Sequence, residues 1–429
     1  MTLLVTRTVM LVGLLVMCAP PAWSQVLLPE GSGKALVQRA CVRCHSLGKL
    51  AGADEGHWPQ FGPGRSREEW RHIMRFMMSY GTALTADEAA AVTDYLATAF
   101  PGPAQPAGVR IAGPVEASIR EWTLTTAGSR PHDPAVAPDG TVWYTGQAKS
   151  RLGRLDPRTG QFRDFPLQPD NRQLPYGVGP HGLVADADGN IWYTGQLDAH
   201  LGKLDPRTGA VTKYKMPAGA GGPHTPIFDQ KGTLWFTMQQ GNMVGRLIPG
   251  TGDLKVVPMP TPKSEPYGIV VNSKGVPYFT QLMGNRIGSI DPVTMQVREY
   301  FLGAGTGPRR LAVTSDDTIY YTDYARGKLG RLDPGTGQTK EWTSPSGVRS
   351  QPYAMTAVGN VVWYVEGNTS PNMVVRFDPV TERFQTWPIP SGGGVVRHMV
   401  AARDGSLWLA GSEVDTIAKV EVKPAAATR

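Results

Sequence analysis

Cys41 and Cys44 stand one helical turn apart, and His45 follows directly. Two thiols at this spacing can add to the two vinyl groups of a haem, and the adjacent imidazole then lies under the iron as proximal ligand. C-x-x-C-H is therefore the attachment pattern of a c-type haem. A zinc site would need further Cys or His at ligand spacing, and a redox dithiol of the thioredoxin kind would sit in a βαβ unit. The only other cysteine is Cys18, in an apolar N-terminal stretch, so no disulfide framework competes for these thiols. One covalent haem c is expected at Cys41, Cys44 and His45.

The elements that must position this group are helical. Lys34 to Ala40 read as a helix running into the motif. Ser66-Arg67-Glu68-Glu69 and Thr85-Ala86-Asp87-Glu88 are capping boxes, in which a hydroxyl and a carboxylate satisfy the first free amides of a helix. They predict helices to about Tyr80 and Phe100, the second with apolar Ala89, Val92, Tyr95 and Leu96 at helical spacing. This layout resembles a class I cytochrome c domain over residues 25–101. The resemblance implies a methionine as distal ligand ahead of the last helix. Trp70, Met77 and Gly81 match its Trp…Met-x-x-x-Gly pattern, so Met77 is the expected ligand, with Met78 and Met74 as alternatives and core packing as the competing role of all three. His57 and His72 offer a bis-His alternative.

Residues 1–24 have the make-up of a secretory leader: Arg7, an apolar run from Val9 to Met17, and small residues before Gln25. The run is short for a membrane span. Export through the Sec pathway to the periplasm suits haem c, which bacteria attach outside the cytoplasm. The net charge of +7 is spread without a basic run, which argues against nucleic acid and leaves a mildly basic surface for an acidic partner. Residues 102–115, rich in proline, are expected to be a semi-extended linker.

From residue 116 to 423 the chain repeats, followed by a tail over 424–429. Proline precedes His132, His181, His224, Tyr267, Arg309 and Tyr353, and Arg397-His398 adds a seventh unit. An aromatic strand follows each (TVWYT, NIWYT, TLWFT, VPYFT, TIYYT, VVWYV, SLWLA), then a strand of the RLGRLDPRTG kind. Asp156, Asp205, Asp291, Asp333 and Asp378 open the turn, with Ile248 in the third unit. Four short strands per repeat of this length indicate a β-propeller. Seven units predict seven blades, with Ile119–Leu124 completing the last blade and closing the ring, which removes open sheet edges. The fold class is thus a small all-α domain followed by an all-β propeller. The aromatic positions are expected to pack between blades and the Asp turns to hold register.

The Pro-His…Gly-x-x-Trp-Tyr/Phe-Thr repeat followed by Ile/Leu-Gly-Arg/Lys resembles the streptogramin B lyase (virginiamycin B lyase) propellers. That resemblance implies Mg²⁺ and a histidine base that opens a cyclic depsipeptide ester by elimination. His224 and Glu265 match two of the site residues. Tyr267 stands where the base should be and Gln281 where a carboxylate should be. A tyrosine, with a pKa near 10, is a poor base at neutral pH, and one carboxylate fewer weakens a hard-cation site. The histidines His132, His181, His224 and His398 read as one position in four units. They are either a polar cluster at the central channel that binds a ligand or metal, or structural imidazoles that satisfy strand-end carbonyls. Gln147, Gln196, Asp323 and Glu366 are the remaining polar strand-end residues.

The sequence therefore predicts a monomeric, exported cytochrome that carries electrons through one haem, with a propeller binding a redox partner protein or small-molecule ligand. The alternatives are a periplasmic oxidoreductase passing substrate electrons to the haem, and a Mg²⁺-dependent C–O lyase.

Overall fold

The computed structural model describes residues 28–41, 65–79, 82–170 and 177–425. Cys44, His45, His57, Gly81, the leader and the tail beyond residue 425 lie outside the described residues.

Among the described residues three helices form the N-terminal unit: α1 (Lys34–Ala40), α2 (Arg67–Ser79) and α3 (Ala86–Ala99). Both capping boxes form. Ser66 Oγ accepts from the Glu69 amide while the Glu69 carboxylate accepts from the Ser66 amide, and Thr85 and Glu88 do the same at α3. The apolar faces meet in a core of Val37, Trp70, Met74, Leu84, Val92, Tyr95 and Leu96, against which Cys41 and Met78 pack. The Trp70 indole donates to Phe100 O at 3.2 Å, which ties α2 to the end of α3. No helix among the described residues is long and apolar enough to cross a membrane.

Seven four-stranded antiparallel sheets follow. Six are continuous in sequence, over 131–166, 180–215, 223–258, 266–301, 308–343 and 352–388. The seventh joins the last three strands of the chain to the first: β1 (Val115–Thr123) pairs antiparallel with β28 (Thr416–Pro424), Val115 opposite Pro424 and Thr123 opposite Thr416. The ring closes as the repeats predict. First strands of successive blades pack on one another, so they line the axis.

Large aromatics hold neighbouring blades together. Trp143 of the first blade packs with Leu183 and Tyr193 of the second, Trp235 of the third with Ile269 and Phe279 of the fourth, and Trp408 of the seventh with Val142 and Tyr144 of the first. Each such ring buries roughly 150–250 Å², which gives the ring of blades its cohesion without a disulfide. The glycine of Leu-Gly-Arg has a steric cause. A Cβ at Gly153 would lie 1.9 Å from the Tyr144 ring, which crosses directly over this position. The Asp turns form as expected: Asp156 O accepts from Gly160 N at 2.7 Å and its carboxylate from Arg158 N at 3.0 Å. Ile248 keeps the backbone bond to Gly252 at 2.9 Å.

Each first strand carries a two-residue bulge against its neighbour, as between Pro131 and Pro134 or Pro308 and Leu311. The threonine ending each Trp-Tyr-Thr motif bridges it. Thr237 Oγ1 accepts from Thr225 N at 3.2 Å in its own blade and donates to Tyr267 O of the next at 2.6 Å. Thr145, Thr194, Thr280 and Thr322 repeat the bridge. The seventh blade has Ala410 at this position, and Ser412 instead donates to Pro131 O at 2.6 Å. Thr237→Val keeps the shape but leaves buried backbone groups unpaired, so it should cost about 1–3 kcal/mol, measurable as a drop in the denaturation midpoint.

The proline-rich segment is fastened down rather than free. Gly108 N donates to Ser370 O at 3.4 Å and Ser370 N donates to Pro106 O at 3.0 Å, flanking an isolated bridge at Ala107. Ile111 N donates to Thr386 Oγ1 at 2.7 Å, and Arg349 donates to the carbonyls of Pro103 and Ala104 at 2.9 and 2.6 Å. The strap lies on the sixth blade before entering β1.

Candidate functional site

The bulges are what aim chemistry at the axis. A bulge places two residues opposite one and re-aims their side chains. Here it turns the pairs 132/133, 181/182, 224/225, 267/268, 309/310, 353/354 and 397/398 toward the ring's centre. The first members form a run of stacked rings. His132 and His181 have centroids 3.7 Å apart, His181 and His224 3.8 Å, and His224 and Tyr267 4.1 Å, with successive planes turned by 45°, 41° and 50°. They stand round the axis like the vanes of a turbine. Tyr267 and Tyr353 then share a short hydroxyl–hydroxyl hydrogen bond. The Arg309 guanidinium lies 3.7 Å over the Tyr353 ring and 4.1 Å over that of Tyr324.

His398 departs from the expectation. Val396 opposes Gly411 as Pro131 opposes Gly146, so Arg397 is the counterpart of His132, and His398 that of Asp133. Only three histidines share the first position. The threonine hydroxyls take the carbonyls of His181 and His224, while the His132 and His224 rings bond Asp133 and Thr225.

Apart from His398, the second bulge members were not singled out by the sequence. Asp133 Oδ1 bonds His132 Nδ1 at 2.7 Å. Arg310, 1 % exposed, crosses the axis. It donates to Asp133 Oδ1 at 3.0 Å, to Thr225 Oγ1 at 3.1 Å and to Arg397 O at 3.1 Å. Burial is the strongest single influence and raises the Asp133 carboxyl, but Arg310 together with His398, His181 and His224 outweighs it and holds it below its ordinary value. Burial, reinforced by neighbouring cationic groups, keeps His132, His181 and His224 well below the usual imidazole range. His398 is pushed down to about 4 by burial and then by Arg310. These rings are neutral at pH 7.

The lyase-like residues fall in the third and fourth blades. His224 is fully buried, and its Nε2 has no hydrogen-bond partner. Glu265 is half-buried and accepts from Gln239 Nε2 at 2.9 Å. Gln281 is fully buried with both amide atoms unpartnered. Burial drives the Tyr267 phenol well above its ordinary value, so it holds its proton at any physiological pH. A magnesium ion needs oxygen ligands and charge; Gln281 brings no charge, and Glu265 belongs to no cluster of metal-ligating groups among the described residues. These residues do not fit Mg²⁺, and the base is missing.

The remaining strand-end candidates are structural. Glu366 accepts from Ser344 Oγ and Ser346 N, both at 2.8 Å. Asp323 accepts from Gly307 N at 3.0 Å and Arg326 Nε at 2.5 Å. Gln147 accepts from Arg130 Nη1 at 2.8 Å. Gln196 is buried beside the second blade's turn.

The starts of the first strands and the loops after the second strands share one end of the propeller, since Pro131 opposes Gly146 and Val396 opposes Gly411. The helical unit sits over this end. Arg75 Nη1 donates to Glu413 O at 3.1 Å. The Glu413 side chain, 3 % exposed, faces His72 Nδ1 at 4.0 Å, Arg130 Nε at 3.5 Å and Arg397 Nη2 at 3.9 Å. Burial raises the Glu413 carboxyl, but these three neighbours more than offset it and hold it below its ordinary value. A cleft of about 1080 Å³ opens between the two parts, with Arg71, Met74 and Met78 on one wall and Arg130, Lys149 and Glu413 on the other. Met74 is spent in the helical core, and Met78 packs against it. Met77 is half-buried outside that core, and its carbonyl accepts from Thr82 N and Oγ1 at 3.2 and 2.8 Å. His72 is engaged with Glu68 at 3.1 Å and with Glu413. Cys41 lies against the helical core at the end of α1, in the cluster that holds Trp70 and Met78. Cys41 and Met77 are the described residues that would hold a haem, which would supply a one-electron carrier.

Comparison with known proteins follows the same division. Residues 30–96 match the family described as cytochrome C oxidase, cbb3-type, subunit III. Residues 109–304 match the Virginiamycin B lyase family. No curated protein matches the sequence. A solved streptogramin B lyase is 23% identical, with a TM-score of 0.64 over 72% of this chain and 98% of its own. A catalytically inactive virginiamycin B lyase from Staphylococcus aureus, solved with quinupristin, is 23% identical, with a TM-score of 0.63 over 71% of this chain and 99% of its own. Hydrazine synthase from Kuenenia stuttgartiensis is 13% identical, with a TM-score of 0.57 over 71% of this chain and 98% of that one. At these identities the likeness is one of fold. The chain joins a cytochrome c domain, matched by the cbb3 subunit III model, to a seven-bladed propeller matched in part by the Virginiamycin B lyase model.

Proposed function

We propose that this chain is an exported c-type cytochrome that exchanges electrons through one covalent haem, with a propeller that binds the redox partner or small ligand from which the electrons come. Cys41 and Cys44 carry the haem, His45 is the proximal ligand and Met77 the distal one. The group supplies a one-electron carrier, and His/Met ligation sets it toward the accepting end of the haem range. The observation that carries the reading is the placement of the helical unit. It is held at Glu413 over the end of the propeller where the bulge residues converge, so a molecule at the axis and the haem domain share one side of the protein. The strap over residues 102–114 keeps them together.

Lysis by elimination is not the activity, because Tyr267 keeps its proton and Gln281 adds no charge. The purified full chain should show the absorption spectrum of one haem c. Met77→Ala should remove the methionine–iron charge-transfer band while leaving the haem attached. A chain without covalent haem would overturn the reading, as would a wild-type chain that opens a cyclic depsipeptide and loses that turnover in His224→Ala.

A further inference from the structure

The three-histidine fan at the propeller axis has no role in carrying electrons through the haem, and it shares only His224 with the lyase-like set of the third and fourth blades. We propose that it is a binding site for one late first-row transition-metal ion, such as Zn²⁺ or Cu²⁺, held by His132, His181 and His224 with Asp133 as the orienting carboxylate. The site is separate from the haem iron and independent of the electron-transfer reading.

Four observations support it. Ligand-capable atoms of His132, Asp133 and His181 all lie within 4.8 Å of one another, and all three residues are buried. His224 continues the fan, its ring centroid 3.8 Å from that of His181. Buried ring nitrogens remain without partners: Nδ1 of His181 and Nε2 of His224. An unpaired polar atom in a protein interior is costly, and a metal would satisfy both. Finally, the other ring nitrogen is anchored where a ligand imidazole needs it. His132 Nδ1 bonds the Asp133 carboxylate at 2.7 Å, which places its proton on Nδ1 and leaves Nε2 as a lone pair. His224 Nδ1 is anchored by Thr225 Oγ1 at 2.8 Å.

The surroundings select the kind of ion. Arg310 bonds Asp133, and Arg397, Arg309 and Arg130 also face these imidazoles. Four guanidiniums against Asp133 and Glu413 make the axis electropositive. A hard, weakly held cation such as Mg²⁺ gains nothing from neutral nitrogen donors there. Zn²⁺ and Cu²⁺, which bind imidazole most strongly, can offset the opposing charge. An anion from solution or from a ligand then completes the coordination.

The test uses the full, haem-loaded chain. After treatment with a chelator and removal of free metal, titration with Zn²⁺ should show uptake of one equivalent per haem by elemental analysis and calorimetry, and Mg²⁺ should show none. His181→Gln should weaken Zn²⁺ binding about tenfold or more, with haem content and circular dichroism unchanged. Absence of stoichiometric Zn²⁺ or Cu²⁺ uptake by the wild type overturns the proposal without any variant. So does His181→Gln that folds and keeps wild-type affinity.

Discussion

Replacing Arg310 by Met should lower the stability of the propeller by about 3–5 kcal/mol, the cost of removing one partner from a buried ion pair. Arg310 reaches from the fifth blade to Asp133 in the first, Thr225 in the third and Arg397 in the seventh. Without it, the Asp133 carboxylate stays in the interior with His132 as its only hydrogen-bonding side chain. Desolvation is then opposed by the neighbouring imidazoles alone, and the carboxyl pKa rises. Asp133→Asn in the same chain removes the stranded charge, so the double variant should recover much of the loss. Denaturation of the four haem-loaded proteins gives the coupling energy of the pair. A loss below about 1 kcal/mol for Arg310→Met, the range of an exposed pair, would contradict this account.

Glu413→Gln should release the helical unit from the propeller at neutral pH, at a cost on the order of 2–3 kcal/mol. The carboxylate faces His72 of the helical unit and Arg130 and Arg397 of the propeller. Its pKa is lower when docked than when free. The contribution is therefore complete above the ordinary glutamate pKa of about 4.3, and is lost as pH falls through the lower docked value. Wild-type protein should loosen in that acidic window. The Gln variant should be loose throughout, with no further change there. Small-angle scattering across the pH range reads the separation directly; equal profiles at pH 7 would remove Glu413 from the interface argument.

Much of the architecture is legible in the sequence, because propellers repeat. The Pro-X pair, the aromatic strand and the turn recur at a similar spacing, and the odd strand at Ile119–Leu124 announces how the ring closes. The capping boxes fix the starts of α2 and α3. The axis is harder to read. Only the first residue of each bulge is marked by its preceding proline. The second varies as Asp, Gly, Thr, Gly, Arg, Ala and His, so no period exposes it, and Arg310 and Asp133 meet across 177 positions with no local signal. The same variation hides the offset of His398, where Val396 replaces the proline that marks the other units. The latch by Thr237 and its counterparts is visible as a repeated threonine, but its reach into the next blade depends on the bulge. Likewise, proline content predicts an extended segment over 102–115 without showing that Thr386 and Arg349 fasten it down.

The closing strand bears on how this chain can be divided. β1 belongs to the last blade although it lies next to the segment that leads from the haem domain. Cutting within residues 102–114 yields two pieces, each with its own core, and the propeller remains a complete ring. Cutting after Thr123 gives a fragment of nearly the same length whose seventh blade has only three strands and exposes the edge of β28 over Thr416–Pro424. A pull on the haem domain likewise runs through the strap into that one strand. The ring's seam, rather than the proline-rich segment, is therefore where mechanical load or proteolysis would open the molecule.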